Sequence, residues 1–344
     1  MSTLFVDRRD IALEHDSGAL VIRDRGERIA TVPLAPVSRV VLRGNAQLSA
    51  SVLATLGEHG IGVVILTGRL GKPSLFFGRP HHDARLRVAQ TRRSLDGDFC
   101  LAYAQHLVQR KLERQCQWLD PLREHYPAQR YPLSQALRQL QQQLPQIAHT
   151  RRLDSLRGLE GAAASGYFAG LRAVVPASLG FHERNRRPPR DPFNALLSLT
   201  YTLAHAEVAF TLHAAGLDPC IGYYHQLSYS RESLACDLME TLRPLADQLC
   251  LELVAQQLLT AEHFSHSDAG CLLGKAGRSR YYGAYEERAQ PLRQAMRQEV
   301  KALAQRIAPD MPAAEFTTPA YDGDLYGALA EGSEGSEGAT GDTP

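Results

Sequence analysis

Tyr224-His225-Gln226-Leu227-Ser228-Tyr229-Ser230-Arg231-Glu232-Ser233-Leu234-Ala235-Cys236-Asp237-Leu238-Met239-Glu240-Thr241-Leu242-Arg243-Pro244-Leu245-Ala246-Asp247 is the stretch around which the chain is organised. Its second half reads as a helix. Leu234, Leu238, Leu242 and Leu245 recur at helical spacing and form a buried stripe. Ser230 or Ser233 can cap it, since a short hydroxyl satisfies free N–H groups of a first turn. Asp237 and Glu240 stand three apart, so both carboxylates leave one face. They flank the leucine stripe, which brings them towards the core boundary. Buried carboxylates repel each other unless a cation lies between them. With His225 just upstream, one imidazole and two carboxylates suit Mg²⁺ or Mn²⁺. The spacing fits equally well a solvated helix face with His225 in a loop.

Working outward, a second acid stands in an unusual setting. Leu153–Leu171 is a helix rich in glycine and alanine, which Asp154 or Ser155 can cap. Glu160 shares its face with Leu156, Ala164, Tyr167 and Leu171. Gly158, Gly161, Gly166 and Gly170 weaken intrinsic helix stability, so close packing must compensate. A glutamate on such a face needs a partner. An ion pair with one of the many arginines meets that need as well as a metal does.

Between these two stretches lie a basic loop and an apolar helix. Phe181–Asp191 carries Arg184, Arg186, Arg187 and Arg190 with two prolines. Arginines in an extended loop suit a phosphate backbone, though a plain solvated charge run reads the same. Asp191 then serves as N-cap and Pro192 as first helical residue. That helix runs through Leu212 to a stop at Gly216.

Residues 1–80 read as β-rich. Short apolar runs such as Ala19–Ile22 and Ile29–Val32 are set off by Asp16-Ser17-Gly18 and Asp24-Arg25-Gly26, which suit hairpin turns. Ser49 caps a short helix whose Leu53 and Leu56 face inward. Nothing in this segment looks catalytic, and packing or a protein–protein surface is its expected role. Gly78-Arg79-Pro80 marks a boundary, after which the pattern turns helical. Asp96-Gly97-Asp98 interrupts the first long helical run. Leu119–Leu144, rich in glutamine and punctuated by Pro121, Pro127 and Pro132, reads as a surface-exposed segment of lower stability. Gly270–Tyr285 interleaves Lys275, Arg278 and Arg280 with Tyr281, Tyr282 and Tyr285, which fits nucleic-acid contact or a core edge. A helical domain is thus expected over 81–308. Residues 309–344, acidic and Gly/Ser-rich, read as a disordered tail.

Composition sets the outer bounds. Of 344 residues, 44% are hydrophobic and 22% charged, ordinary for a globular protein. The net charge of +1 hides an uneven distribution: His81–Arg190 carries 18 Arg/Lys against 9 Asp/Glu, and eight acids follow Arg306 without one Arg or Lys. Cys100, Cys116, Cys220, Cys236, Cys250 and Cys271 form no C-x-x-C pair, so free thiols in a reducing cytoplasm are expected rather than disulfides or zinc. The N-terminus has no signal-peptide pattern and no apolar run reaches the length of a membrane span, so a cytoplasmic protein without membrane contact is expected.

Taken together, Leu159-Glu160-Gly161-Ala162-Ala163-Ala164-Ser165-Gly166-Tyr167-Phe168, Arg186–Ala195, Tyr201, Ala215–Pro219, His225 and Ser233–Asp247 closely resemble the CRISPR-associated spacer-acquisition integrases, the Cas-one family. The resemblance covers roughly residues 3–305. It implies an α+β protein, with a small N-terminal β-sandwich followed by an all-α catalytic domain. It implies metal ligands at Glu160, His225 and an acid of the Asp-Leu-Met-Glu run, with Glu240 the direct ligand and Asp237 a ligand or its support. It implies Mg²⁺ or Mn²⁺ as cofactor. Its implied partners are double-stranded protospacer and repeat DNA, a second copy in a homodimer, and the smaller Cas-two protein in a heterohexamer. The implied activity is insertion of short DNA duplexes into a CRISPR array by 3′-hydroxyl attack on a repeat phosphodiester. DNA contacts are expected at Arg184, Arg186, Arg187 and Arg190, then at Arg278 and Arg280. Two other readings remain: a structure-specific metal-dependent nuclease on branched or single-stranded DNA, and a non-catalytic DNA-binding scaffold. Thr241 stands where many members have proline, with only local helix geometry at stake.

Overall fold

The computed structural model describes residues 2–66, 73–78, 84–185, 188–225, 231–268 and 270–310. The acidic tail from 311, Arg186, Arg187 and Ser230 lie outside them. The chain begins with β1 (Ser2–Asp7), β2 (Ile11–Asp16), β3 (Ala19–Asp24), β4 (Glu27–Pro33), β5 (Val37–Arg43) and β6 (Ala46–Leu48). Helix α1 (Ala50–Glu58), β7 (Gly62–Ile65) and β8 (Ser74–Phe76) follow. These strands make two four-stranded sheets, in the orders β1-β5-β7-β8 and β4-β3-β2-β6. Hairpins β2–β3 and β3–β4 are antiparallel, whereas β1–β5 and β5–β7 are parallel.

The central strands of the first sheet, β5 and β7, are buried on both faces. Along β5 and β7 successive side chains alternate. Val40, Leu42 and Val63 enter a cluster with Ile11, Leu13 and Leu20 of the other sheet, which forms the sandwich. Val41 and Val64 point the other way and join the core of the helices. This explains the apolar runs Val40-Val41-Leu42 in β5 and Val63-Val64-Ile65 in β7: where a strand is covered on both sides it has no polar face to show. Ser49 does cap α1, accepting from the Val52 N–H at 3.3 Å. The helix buries Val52 and Leu56, while Leu53 faces out, against expectation.

The rest is mainly helical: α2 (Arg85–Ser94), α3 (Gly97–His125), α4 (Arg130–Ile147), α5 (Leu153–Arg172), α6 (Pro192–Ala214) and α7 (Ser233–Ala255), a hairpin β9 (Phe264–Ser267) and β10 (Gly270–Leu273), then α8 (Lys275–Arg288) and α9 (Gln290–Ile307). Asp96 ends the α2 segment and caps α3 through the Phe99 N–H at 3.0 Å. Asp191 caps α6, with Pro192 in its first turn.

Three expectations need correction. The Gln-rich segment is no loose surface piece: α4 buries Leu133, Ala136, Leu137, Leu140 and Ile147 against α3 and α5. Pro132 falls in its first turn, where the missing N–H interrupts no helical bond. Helix α6 is long and apolar enough to cross a membrane, but most of that window is buried inside the protein, as in a central core helix. The N-cap positions of α5 and α7 are Arg152 and Glu232, neither with a side-chain cap, rather than Asp154, Ser155 or Ser233.

Of the four glycines singled out in α5, Gly166 and Gly170 sit in close packing, whereas Gly158 and Gly161 face open space. A Cβ on Gly166 or Gly170 would collide with Gln139 or Ala136 of α4, so these positions let the two helices close up. Helix α7 is buried on every side, touching α3, α6, α8 and α9. Its carboxylates Asp237, Glu240 and Asp247 therefore lie within the core.

Candidate active site

Four side chains from three helices meet beside the turn at 222–225. Glu160 comes from α5, Glu240 and Arg243 from α7, and Lys111 from the middle of α3. The Lys111 ammonium lies between the two glutamates. It donates a short hydrogen bond to Glu160 Oε1 and one of 2.7 Å to Glu240 Oε2. Arg243 pairs with the other Glu240 oxygen at 3.0 Å. The Tyr224 hydroxyl donates to Glu160 Oε2 at 2.6 Å. Burial alone would push the Glu240 carboxyl up, but Arg243 and Lys111 outweigh it and hold it well below the usual carboxylate range. Burial disfavours the charged Lys111, but Glu240 and Glu160 more than offset this and raise it above its ordinary value. Both glutamates of the pair are thus met by a cation, as neighbouring carboxylates in a partly buried site require.

Asp237 has a different task. Its Oδ2 accepts from the backbone N–H groups of Tyr223 (2.7 Å) and Tyr224 (3.0 Å). Its Oδ1 accepts from the His225 N–H (2.8 Å) and from His225 Nδ1 (2.7 Å). All four lone-pair positions of the carboxylate are taken. Because Asp237 offers only acceptors, the His225 nitrogen that faces it, Nδ1, carries a proton. Among the described residues Nε2 has no hydrogen-bond partner. Arg157 of α5 closes the turn from the other side, donating to the Tyr224 carbonyl at 3.0 Å. Gly222 makes this approach possible: a Cβ there would stand 2.9 Å from Asp237 Oδ2 and 2.8 Å from the Ser233 carbonyl carbon.

Glu160 and Glu240 therefore come together, while His225 is fixed by Asp237 and follows Tyr224, whose hydroxyl reaches Glu160. Among the described residues no three His, Cys, Asp or Glu side chains are gathered as a metal site. The cation between the glutamates is instead the protein's own ammonium. Carboxylate oxygens together with an imidazole nitrogen are the donor chemistry that suits Mg²⁺ or Mn²⁺.

Lys111 and Arg243 escaped the sequence reading. A signal for Lys111 existed. It interrupts the stripe Ala104, Leu107, Val108, Leu112 at helical spacing, and it is 5% exposed. A lysine on an apolar stripe needs an anionic partner.

The arginines expected to meet DNA divide. Arg190 and Arg280 are exposed. Arg184 is turned inward, donating to Asn194 Oδ1 at 2.7 Å and lying over the Tyr201 ring. Arg278 pairs with Asp7 of β1 at 2.6 Å. Both are held by internal acceptors because their guanidinium groups face polar groups of neighbouring elements rather than solvent. Tyr281, Tyr282 and Tyr285 are buried, and Phe5 stacks on Tyr282 at 4.3 Å, so the core-edge reading of that segment holds.

A family model described as "CRISPR associated protein Cas1" matches residues 4–287. The chain belongs to the Cas1 family. It is 41% identical over 310 residues to "CRISPR-associated endonuclease Cas1 1" of Thermodesulfovibrio yellowstonii, covering 89% of this chain and 97% of that relative. A CAS1 protein from Thermotoga maritima has the same fold, with a TM-score of 0.78 at 21% identity over 89% of this chain and 97% of that one. A chain of a partial Cas6-RT-Cas1–Cas2 complex matches at a TM-score of 0.62 and 25% identity, over 92% of this chain and 98% of that one. The family resemblance read from Glu160 to Asp247 is borne out, as is the α+β architecture of strands followed by helices.

Proposed function

We propose that this Cas1 chain is a divalent-metal-dependent DNA endonuclease and integrase that inserts short DNA duplexes into a CRISPR array. The observation that carries the reading is the pair of carboxylates Glu160 and Glu240 with a cation between them, and the imidazole of His225 fixed by Asp237. Glu160, Glu240 and His225 Nε2 would hold Mg²⁺ or Mn²⁺. When bound, such an ion supplies Lewis-acid stabilisation of charge on a reacting phosphodiester and eases ionisation of a hydroxyl. Asp237 keeps the imidazole in the tautomer that leaves Nε2 available, and Tyr224 orients Glu160. The incoming 3′-hydroxyl oxygen bonds to the repeat phosphorus while the bond to the repeat's own 3′-oxygen breaks. One phosphodiester replaces another, so no external energy source is required.

The partners in this reading are double-stranded DNA, a second copy of the chain, and Cas2. Kinship with the endonuclease of T. yellowstonii and similarity to a chain of the Cas1–Cas2 complex support it. A homodimer joined to Cas2 as a heterohexamer is the proposed assembly, acting in the cytoplasm. Exposed Arg190 and Arg280, with Arg186 and Arg187, are the proposed phosphate contacts, giving binding that weakens steeply with salt.

The test is joining of a labelled duplex to a repeat-bearing plasmid in Mn²⁺. Glu160→Ala and His225→Ala are each expected to fall to background. Full joining by both variants would end the catalytic reading. Branched DNA cut without joined strands would mark a structure-specific nuclease instead. DNA binding without any product under divalent ions would mark a scaffold.

A further inference from the structure

Lys111, like Arg243, has no place in the chemistry above. It sits mid-way along α3 between Leu107, Val108 and Leu112, all fully buried, so its backbone is fixed and only its side chain can move. Its four-carbon stem is flexible and its ammonium is a compact charge. That ammonium lies where the divalent ion of the proposed function would be bound, bridging Glu160 Oε1 and Glu240 Oε2.

Charge balance makes joint occupancy unfavourable. The two glutamates are already offset by Lys111 and Arg243. Adding two positive charges to this neutral, largely enclosed group leaves an uncompensated charge. If the ammonium withdraws, the two carboxylates, Arg243 and the ion leave a single positive charge. One phosphodiester of DNA neutralises that.

We propose that Lys111 is the resident counter-ion of the metal centre: its ammonium occupies the cation position between Glu160 and Glu240 and must be displaced for a divalent ion to bind. It is a positioning residue that keeps the two carboxylates together in the metal-free protein and lowers affinity for the ion. The inference rests on the metal reading above. A purely structural lysine predicts the opposite sign, because its removal would loosen the cluster and weaken ion binding.

Calorimetric titration of the full chain with Mn²⁺ tests this. Lys111→Met, similar in length but uncharged, is expected to bind Mn²⁺ about tenfold more tightly or better, since two charge-assisted hydrogen bonds no longer have to be broken. Lys111→Arg, which keeps the charge, is expected to bind no more tightly than wild type. Unchanged or weaker binding by Lys111→Met overturns the proposal and leaves the metal reading intact. Absence of Mn²⁺ binding by the wild type overturns both. The wild-type chain gives a second measurement if the methionine variant does not fold. Reductive methylation of lysines, read by peptide mass spectrometry, should modify Lys111 slowly in chelator and faster in Mg²⁺, relative to exposed Lys301. Equal rates in chelator and in Mg²⁺ would overturn the displacement.

Discussion

Asp237 separates binding from support at the residue scale. Its carboxylate is filled by three backbone N–H groups and the His225 ring, so it aims the imidazole. Asp237→Asn places donors against donors there. It is expected to lower Mn²⁺ affinity and joining by roughly 10–100-fold, the usual cost of losing a group that orients a metal-binding histidine. Calorimetry alongside the joining assay checks this, and unchanged values in both would contradict the role. Glu160, Asp237 and Glu240 were legible in the sequence because each is an acid beside an apolar helical stripe. Their division of labour was not, since it depends on how the turn at Gly222 folds back onto α7. Lys111 was passed over because its partners stand 49 and 129 positions away. Only the apolar stripe that it interrupts could have exposed it.

Individual elements are joined by a second buried acid. Asp247 of α7 accepts from Tyr167 of α5 at 2.9 Å and, in a short bond, from Tyr201 of α6. Burial pushes its carboxyl up from 3.8 to about 6, more than the two tyrosine hydrogen bonds pull it down. The folded chain therefore holds this proton to higher pH than the unfolded chain does. Its contribution to stability is intact below the unfolded value, declines as pH rises from about 4 to about 6, and is lost above that. Urea unfolding of wild type and Asp247→Asn at a series of pH values measures this. The asparagine variant should gain on wild type across that window by up to ~3 kcal/mol. Parallel pH curves would contradict it. Helical spacing in the sequence located α5, α6 and α7 and the boundary at Asp96. Glutamine content misled for α4, where five apolar residues on one face outweigh the polar remainder.

Strands and helices are tied across the whole molecule through Glu207 of α6. It pairs with Arg39 of β5 and, at 3.0 Å, with Arg293 of α9, which also reaches Thr3 of β1 at 3.1 Å. Alternation and turn triplets revealed the β-rich start. They could not show that the first sheet buries its second face on the helices, because that surface is completed by residues more than a hundred positions later. The basic middle of the chain proved mixed for the same reason: Arg184 turns inward while Arg190 stays exposed. The central claim is that the molecule joins DNA by attack of a 3′-hydroxyl at the Glu160–His225–Glu240 centre. The most direct measurement compares duplexes ending in a 3′-hydroxyl or a 3′-dideoxy sugar, each incubated with wild-type chain, Cas2, Mn²⁺ and a repeat-bearing plasmid. Joined product with the hydroxyl end and none with the dideoxy end is the expected result. Equal joining from both ends, or cleavage with no joined strands from either, would contradict it.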